Sequence, residues 1–134
     1  MPETPRSPQT TASKELSTEN LSPEAVCHLV VQALEAMKGQ KILSLEIGEV
    51  TDIADYMVIA SGTSNRHVKA LVDSVVEQSK AAGHKPASVE GKETQEWVLL
   101  DLGDVIVHVM QQQTRDFYDL ESLWSEFSSV ETSV

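Results

Sequence analysis

Trp97-Val98-Leu99-Leu100-Asp101-Leu102-Gly103-Asp104-Val105-Ile106-Val107-His108-Val109-Met110 is the stretch on which the fold turns. Side chains alternate across a strand, so Trp97, Leu99 and Asp101 share one face and Val98, Leu100 and Leu102 the other. In the second run Val105, Val107 and Val109 oppose Ile106, His108 and Met110. Gly103-Asp104 between the runs supplies a tight hairpin turn. Both faces are rich in apolar groups, so both must be covered. One meets the core, and the other meets either a helix or a partner protein. Spacing leaves those two open. Asp101 and Asp104 flank the turn, where Asp bonds neighbouring backbone readily; a magnesium pair is the sharper and weaker alternative.

Working outward, Tyr56-Met57-Val58-Ile59-Ala60 is a short continuous apolar run, as expected of a strand buried on both faces at the centre of its sheet. Ser61-Gly62-Thr63-Ser64 turns the chain into a helix capped by Ser64. Val68, Leu71, Val72, Val75 and Val76 form its apolar stripe, and Gly83 ends it. A short strand is expected over Lys85–Val89, and another over Ile42–Ile47 with Leu43, Leu45 and Ile47 on one face. A helix is expected over 22–38, with Ser22 as cap, Pro23 at the first position and Glu24 at the positive dipole end. Its stripe is Val26, Leu29, Val30, Ala33, Leu34 and Met37, and Gly39 is free to take the left-handed closing conformation. Beyond the hairpin, Thr114–Phe127 reads as a last helix, with Phe117, Leu120, Leu123, Trp124 and Phe127 on one face. The order predicts an α/β domain: a single mixed β-sheet flanked by helices, over 21–127. Residues 1–20, with Pro2, Pro5 and Pro8 among polar groups, lack the apolar surface to offset ordering and are expected to be a disordered tail. Residues 128–134 are expected to fray.

The chain has 134 residues, 21 acidic against 10 basic, and a formal charge of −11. Nucleic-acid binders cluster Lys and Arg to displace counterions, and no such cluster occurs. Direct RNA or DNA binding and anionic membranes are therefore disfavoured, and a basic protein partner fits better. No apolar run reaches the length of a membrane span. The first residues lack both a secretory apolar region and the Arg-rich, acid-poor pattern of a transit peptide, so a cytoplasmic location is expected.

Chemistry-bearing motifs are sparse. Cys27 lies in a helical apolar pattern and has no second cysteine to pair with, which suits a buried thiol. His28, His67, His84 and His108 are scattered singly, so no metal site is expected. No nucleophile elbow appears. Gly62–His67 opens a helix with hydroxyls and Arg66 and could cradle a phosphate or nucleotide, but it lacks the spacing and Lys of a phosphate loop. Capping explains the same residues.

Several blocks together resemble the Iojap-like ribosomal silencing factors. They are Lys38-Gly39-Gln40-Lys41-Ile42, Asp55 through Val68, Val89-Glu90-Gly91, the hairpin Trp97–Met110, and Arg115, Phe117-Tyr118, Leu120-Glu121 and Leu123-Trp124. The match covers about residues 22–125 in order. The resemblance implies a nucleotidyltransferase-like fold without catalysis or cofactor; Asn65, Arg66 and His67 stand where paired catalytic carboxylates would follow Gly62-Thr63-Ser64. It implies docking on the large ribosomal subunit through ribosomal protein uL14, blocking subunit joining and lowering translation when nutrients run short. It also implies possible homodimers. The expected docking residues are Trp97, Asp101, Leu102, Asp104, His108, Met110 and Tyr118, with Trp97 and Leu102 as apolar anchors. Those two anchors have opposite strand parity, so both are exposed only if Leu102 lies in the turn.

Overall fold

The computed structural model describes residues 21–120, 122 and 130–133. Helix α1 (Pro23–Ala36) starts where expected: the Ser22 hydroxyl accepts from the Ala25 N–H at 3.0 Å, and Pro23 occupies the first turn. Its end differs from expectation. Lys38, not Gly39, takes the left-handed conformation (φ 62°), and the Lys38 and Gly39 N–H groups donate to the carbonyls of Glu35 and Leu34. Gly39 is needed for space instead, because a Cβ there would sit 3.1 Å from the Leu34 carbonyl oxygen and 3.2 Å from the Leu71 side chain.

Six strands form one mixed sheet in the order β3-β4-β5-β2-β1-β6. They are β1 (Gln40–Glu46), β2 (Tyr56–Gly62), β3 (Ser88–Glu90), β4 (Trp97–Asp101), β5 (Val105–Gln111) and β6 (Val130–Ser133). As its apolar run predicts, β2 is internal, pairing in parallel with β5 and antiparallel with β1, and every residue after Tyr56 is buried. Parallel pairing demands a long crossover. That crossover carries α2 (Asn65–Ala81), then β3 and β4. Helix α2 is capped by Ser64, whose hydroxyl accepts from the His67 N–H at 3.1 Å. β4 and β5 form the expected hairpin, with Trp97 opposite Met110, Leu99 opposite His108 and Asp101 opposite Ile106.

Strand parity sorts the interior into two layers. Val58, Ala60, Val98, Leu100, Val105, Val107 and Val109 face α1 and α2, packing on Val30, Leu34, Leu71 and Val75. Leu45, Ile47, Met57, Ile59 and Met110 lie on the opposite face, with Leu43, Trp97, Ile106 and Leu120 packed against them.

Two expectations fail at the C-terminal side. Helix α3 (Gln112–Tyr118) begins earlier than Thr114 and stops at Asp119, which is left-handed (φ 51°). Helical backbone resumes at Leu120, with the Ser122 hydroxyl donating to the Asp119 carboxylate at 2.7 Å. Asp tolerates this conformation and caps the next turn, so the break needs no Gly or Pro. Phe117, assigned to the buried stripe, is 80% exposed; Leu123, Trp124 and Phe127 lie outside the described residues, as does the tail 1–20. The other failure is the expected fraying of 128–134: Val130–Ser133 forms β6, antiparallel to the outer edge of β1. Main-chain hydrogen bonds drive edge pairing, so a polar segment can supply it.

Candidate functional site

The side of the sheet turned away from α1 and α2 carries the site. Across β4 and β5 it presents Trp97, Leu99, Asp101, Ile106 and His108, all half-buried. Trp97 is held by two neighbours. Its indole N–H donates to His108 Nδ1 at 2.9 Å, and its ring lies 4.8 Å from Tyr118 and 5.9 Å from His108, centroid to centroid. Phe117 packs edge-on against Tyr118 at 5.0 Å. Offset and tilted pairs of this kind are the favourable aromatic geometries. Tyr118 is 54% exposed, so with Phe117 it extends the aromatic surface into solvent.

Position by position, the seven expected docking residues divide. Trp97, His108 and Tyr118 meet in the aromatic cluster, and Asp101 shares their face. Asp104 is exposed at the hairpin tip, its carbonyl accepting from the Asp55 and Tyr56 N–H groups and so tying the tip to β2. The Asp101 carboxylate accepts from the Gly103 N–H at 2.8 Å, which is turn chemistry. Leu102 and Met110 do not belong on the surface. Leu102 is 2% exposed and packs in the helix-side layer; Met110 is fully buried beneath Trp97 and Leu120. The parity conflict between Trp97 and Leu102 resolves accordingly: Trp97 faces out and Leu102 faces the helices.

Sequence reasoning passed over Leu99, Ile106 and Phe117. The first two share parity with Trp97 and His108, so alternation alone could have found them. Arg115 and Gly91 were seen only as parts of the resemblance, and each supports the face. Arg115 is buried and donates to the Lys41 carbonyl (2.7 Å) and the Ser61 hydroxyl (2.9 Å), pinning α3 to β1 and β2. Lys41 is itself left-handed (φ 48°), within the irregularity that breaks the β1–β2 register. Gly91 has φ 91°, and a Cβ there would overlap the Trp97 carbonyl oxygen.

Burial pushes the His108 imidazole down to about 4, so it is neutral near pH 7. In the Gly62–His67 loop Thr63, Ser64, Asn65 and His67 are engaged internally, while Arg66 is exposed. His67 Nδ1 accepts from the Thr63 N–H at 2.9 Å, its Nε2 donates to the Met37 carbonyl at 2.9 Å, and Asn65 accepts from Gln111. An open groove of about 420 Å³ beside the α1 start is lined by Glu24, Glu46, Glu49, Asp55 and Tyr56. Burial, then the Glu46 and Glu24 charges, raise the Tyr56 phenol above its usual value. Such a groove repels phosphates. Among the described residues no cluster of three or more His, Cys, Asp or Glu is arranged to hold a metal, and no helix is long and apolar enough to cross a membrane.

The arrangement defines a class: a small mixed α/β domain whose distinctive surface is a half-covered aromatic sheet face. The family follows from comparison. The model of the family "Ribosomal silencing factor during starvation" matches residues 20–134, and the chain belongs to that family. It is 46% identical over 101 residues to the ribosomal silencing factor RsfS of Chromobacterium violaceum, covering 75% of this chain and 83% of that one. It is 32% identical over 100 residues to the mouse protein "Mitochondrial assembly of ribosomal large subunit protein 1", covering 72% of this chain and 44% of that one. A crystal structure from Chromobacterium violaceum superposes with a TM-score of 0.76 at 44% identity, covering 78% and 87% of the two chains. One from Bacillus halodurans gives 0.69 at 32% identity, covering 75% and 94%.

Proposed function

We propose that this protein is a non-enzymatic, cytoplasmic translational repressor. In this reading it docks on the large ribosomal subunit through ribosomal protein uL14 and blocks joining of the small subunit when nutrients are limiting. The observation that carries the reading is the Trp97–His108–Tyr118 cluster on the half-covered face of β4 and β5. Aromatic side chains in well-packed surroundings are the usual anchors of protein interfaces. Trp97 is the central anchor, flanked by Tyr118, Phe117, Leu99 and Ile106. Asp101 and Asp104 meet basic groups of the partner. Leu102 and Met110 support the face from within.

Charge supports the same partner. A chain of net charge −11 is steered towards a basic protein and repelled by bare RNA backbone. Blocking by occupancy needs no turnover, cofactor or metal.

The test is co-sedimentation with separated large and small subunits. Selective binding to the large subunit is expected. Trp97→Ala should weaken it by about 30- to 1000-fold, the range of a hot-spot truncation. Binding to neither subunit at moderate salt, or equal binding to both, would sink the reading. A subunit-joining assay with the wild-type chain then tests the block itself.

A further inference from the structure

We infer that His108 is the specificity-determining donor of the docking face: locked by Trp97 into one tautomer, it presents its Nε2–H to a neutral oxygen acceptor on the partner. The inference rests on the docking role proposed for this face and adds the chemistry that the partner must offer there.

The indole nitrogen of Trp97 is a donor and never an acceptor. It stands 2.9 Å from His108 Nδ1, so Nδ1 carries the lone pair and the ring proton sits on Nε2. Which nitrogen of a histidine holds the proton is set by the bond the other one makes. Protonating both nitrogens would turn two donors towards each other and break the contact. Among the described residues Nε2 has no hydrogen-bond partner, and His108 is half-buried on the face, so the nitrogen is left for an outside partner. Leu99, opposite His108 in the register, and Ile106, two residues away on the same face, are apolar and offer no competing acceptor.

The surroundings also select the acceptor. Asp101 lies on the same face, and the chain as a whole is strongly acidic, so an incoming carboxylate would be repelled. A cation would find no lone pair at Nε2. A main-chain carbonyl or a side-chain amide oxygen suits the position. Once Trp97 and Tyr118 are covered, a partner lacking that oxygen would leave a buried N–H unpaired, and that penalty discriminates more sharply than a missing apolar contact.

Two measurements test this. The first is nitrogen-15 NMR of the free protein near pH 7. His108 should show a single tautomer with the proton on Nε2, and a Trp97→Phe variant should release it into a mixture. A proton on Nδ1, or a mixture in the wild type, would overturn the inference whatever happens on the ribosome. The second is large-subunit binding by His108→Phe and His108→Gln, with folding of each checked by the same spectra. Gln can both accept from Trp97 and donate outward, so it should bind within about 3-fold of wild type, whereas Phe should lose about 10-fold, the scale of an unpaired buried polar group. If His108→Phe binds as well as wild type while Trp97→Ala does not, the donor role fails and the docking face stands. If neither change affects binding, both fail together.

Discussion

Gly91→Ala should destabilise the protein far more than Gly103→Ala, although both glycines have left-handed backbone. Gly91 has φ 91° and Gly103 φ 83°, so an alanine at either position carries a similar conformational strain, about 1–2 kcal/mol. Their surroundings differ. A Cβ at Gly103 would meet nothing within 4 Å, while one at Gly91 would run into the Trp97 carbonyl oxygen, with Val98 Cα at 3.4 Å behind it. Main chain of a paired strand cannot rotate aside as a flexible side chain would. Relieving the overlap means shifting β4, and forced repacking of that kind costs about 1–3 kcal/mol more. For a chain of this size each kcal/mol lowers the melting temperature by about 4 °C, so Gly91→Ala should melt about 8–20 °C below wild type and Gly103→Ala about 4–8 °C. Thermal unfolding followed by circular dichroism on the three proteins in one buffer gives the comparison. Equal losses at the two positions, or none at Gly91, would refute the argument that close approach to Trp97 is what Gly91 provides.

Acid should destabilise the fold through His108. Its pKa is about 4 when folded against an ordinary 6.5, so between those values the unfolded chain holds more protons and stability falls as pH drops. The loss should reach roughly 2–3 kcal/mol at pH 4 and be smaller by that amount in His108→Gln, read from urea unfolding at pH 7, 5.5 and 4. Arg115→Met should cost about 2–4 kcal/mol, because the Lys41 carbonyl and Ser61 hydroxyl lose a buried charged donor; an unchanged urea midpoint would contradict the pinning role. Ser79→Ala should be neutral or stabilising by up to about 1 kcal/mol, since the buried Ser79 hydroxyl has no partner among the described residues and Ala is the better helix former; a clear loss in Tm would disprove this. Leu102→Ala should lower stability by about 2–4 kcal/mol while the folded protein keeps its affinity for the large subunit. Lost affinity with retained stability would return Leu102 to the surface.

Period-two alternation was enough to read the hairpin, and the unbroken apolar run was enough to place β2 inside the sheet. Both follow from local pattern, since a strand buried on two faces has no polar side to show. What escaped was set by tertiary space. Nothing around Gly39 tells from sequence that it is a packing glycine while Lys38 bears the positive φ. The stop at Asp119 lacks a breaker, and β6 has too little apolar content to announce a strand. In the site, parity correctly opposed Trp97 to Leu102, but it sorted faces within each strand only, and Trp97 and His108 were joined through the resemblance. It could not say that Met110, of the same parity as His108, lies under Trp97 and Leu120. Depth along a face is a matter of what packs above it, and a linear pattern does not encode that.

The two layers of the sheet explain why a single strand pair can serve stability and recognition at once. Val98, Leu100, Val105, Val107 and Val109 lock β4 and β5 to the helices, and all are fully buried. Their alternates are thereby held in fixed register on the other side, without any need to be buried themselves. Trp97 gains its orientation from a hydrogen bond, a neighbouring ring and the close approach of Gly91, not from a deep pocket. An anchor held in this way has little side-chain entropy left to lose on docking. On the docking reading, affinity then depends on how many of these three supports survive. Substitutions at Tyr118 or Gly91 should therefore weaken binding through the mobility of Trp97, even where they never touch the partner.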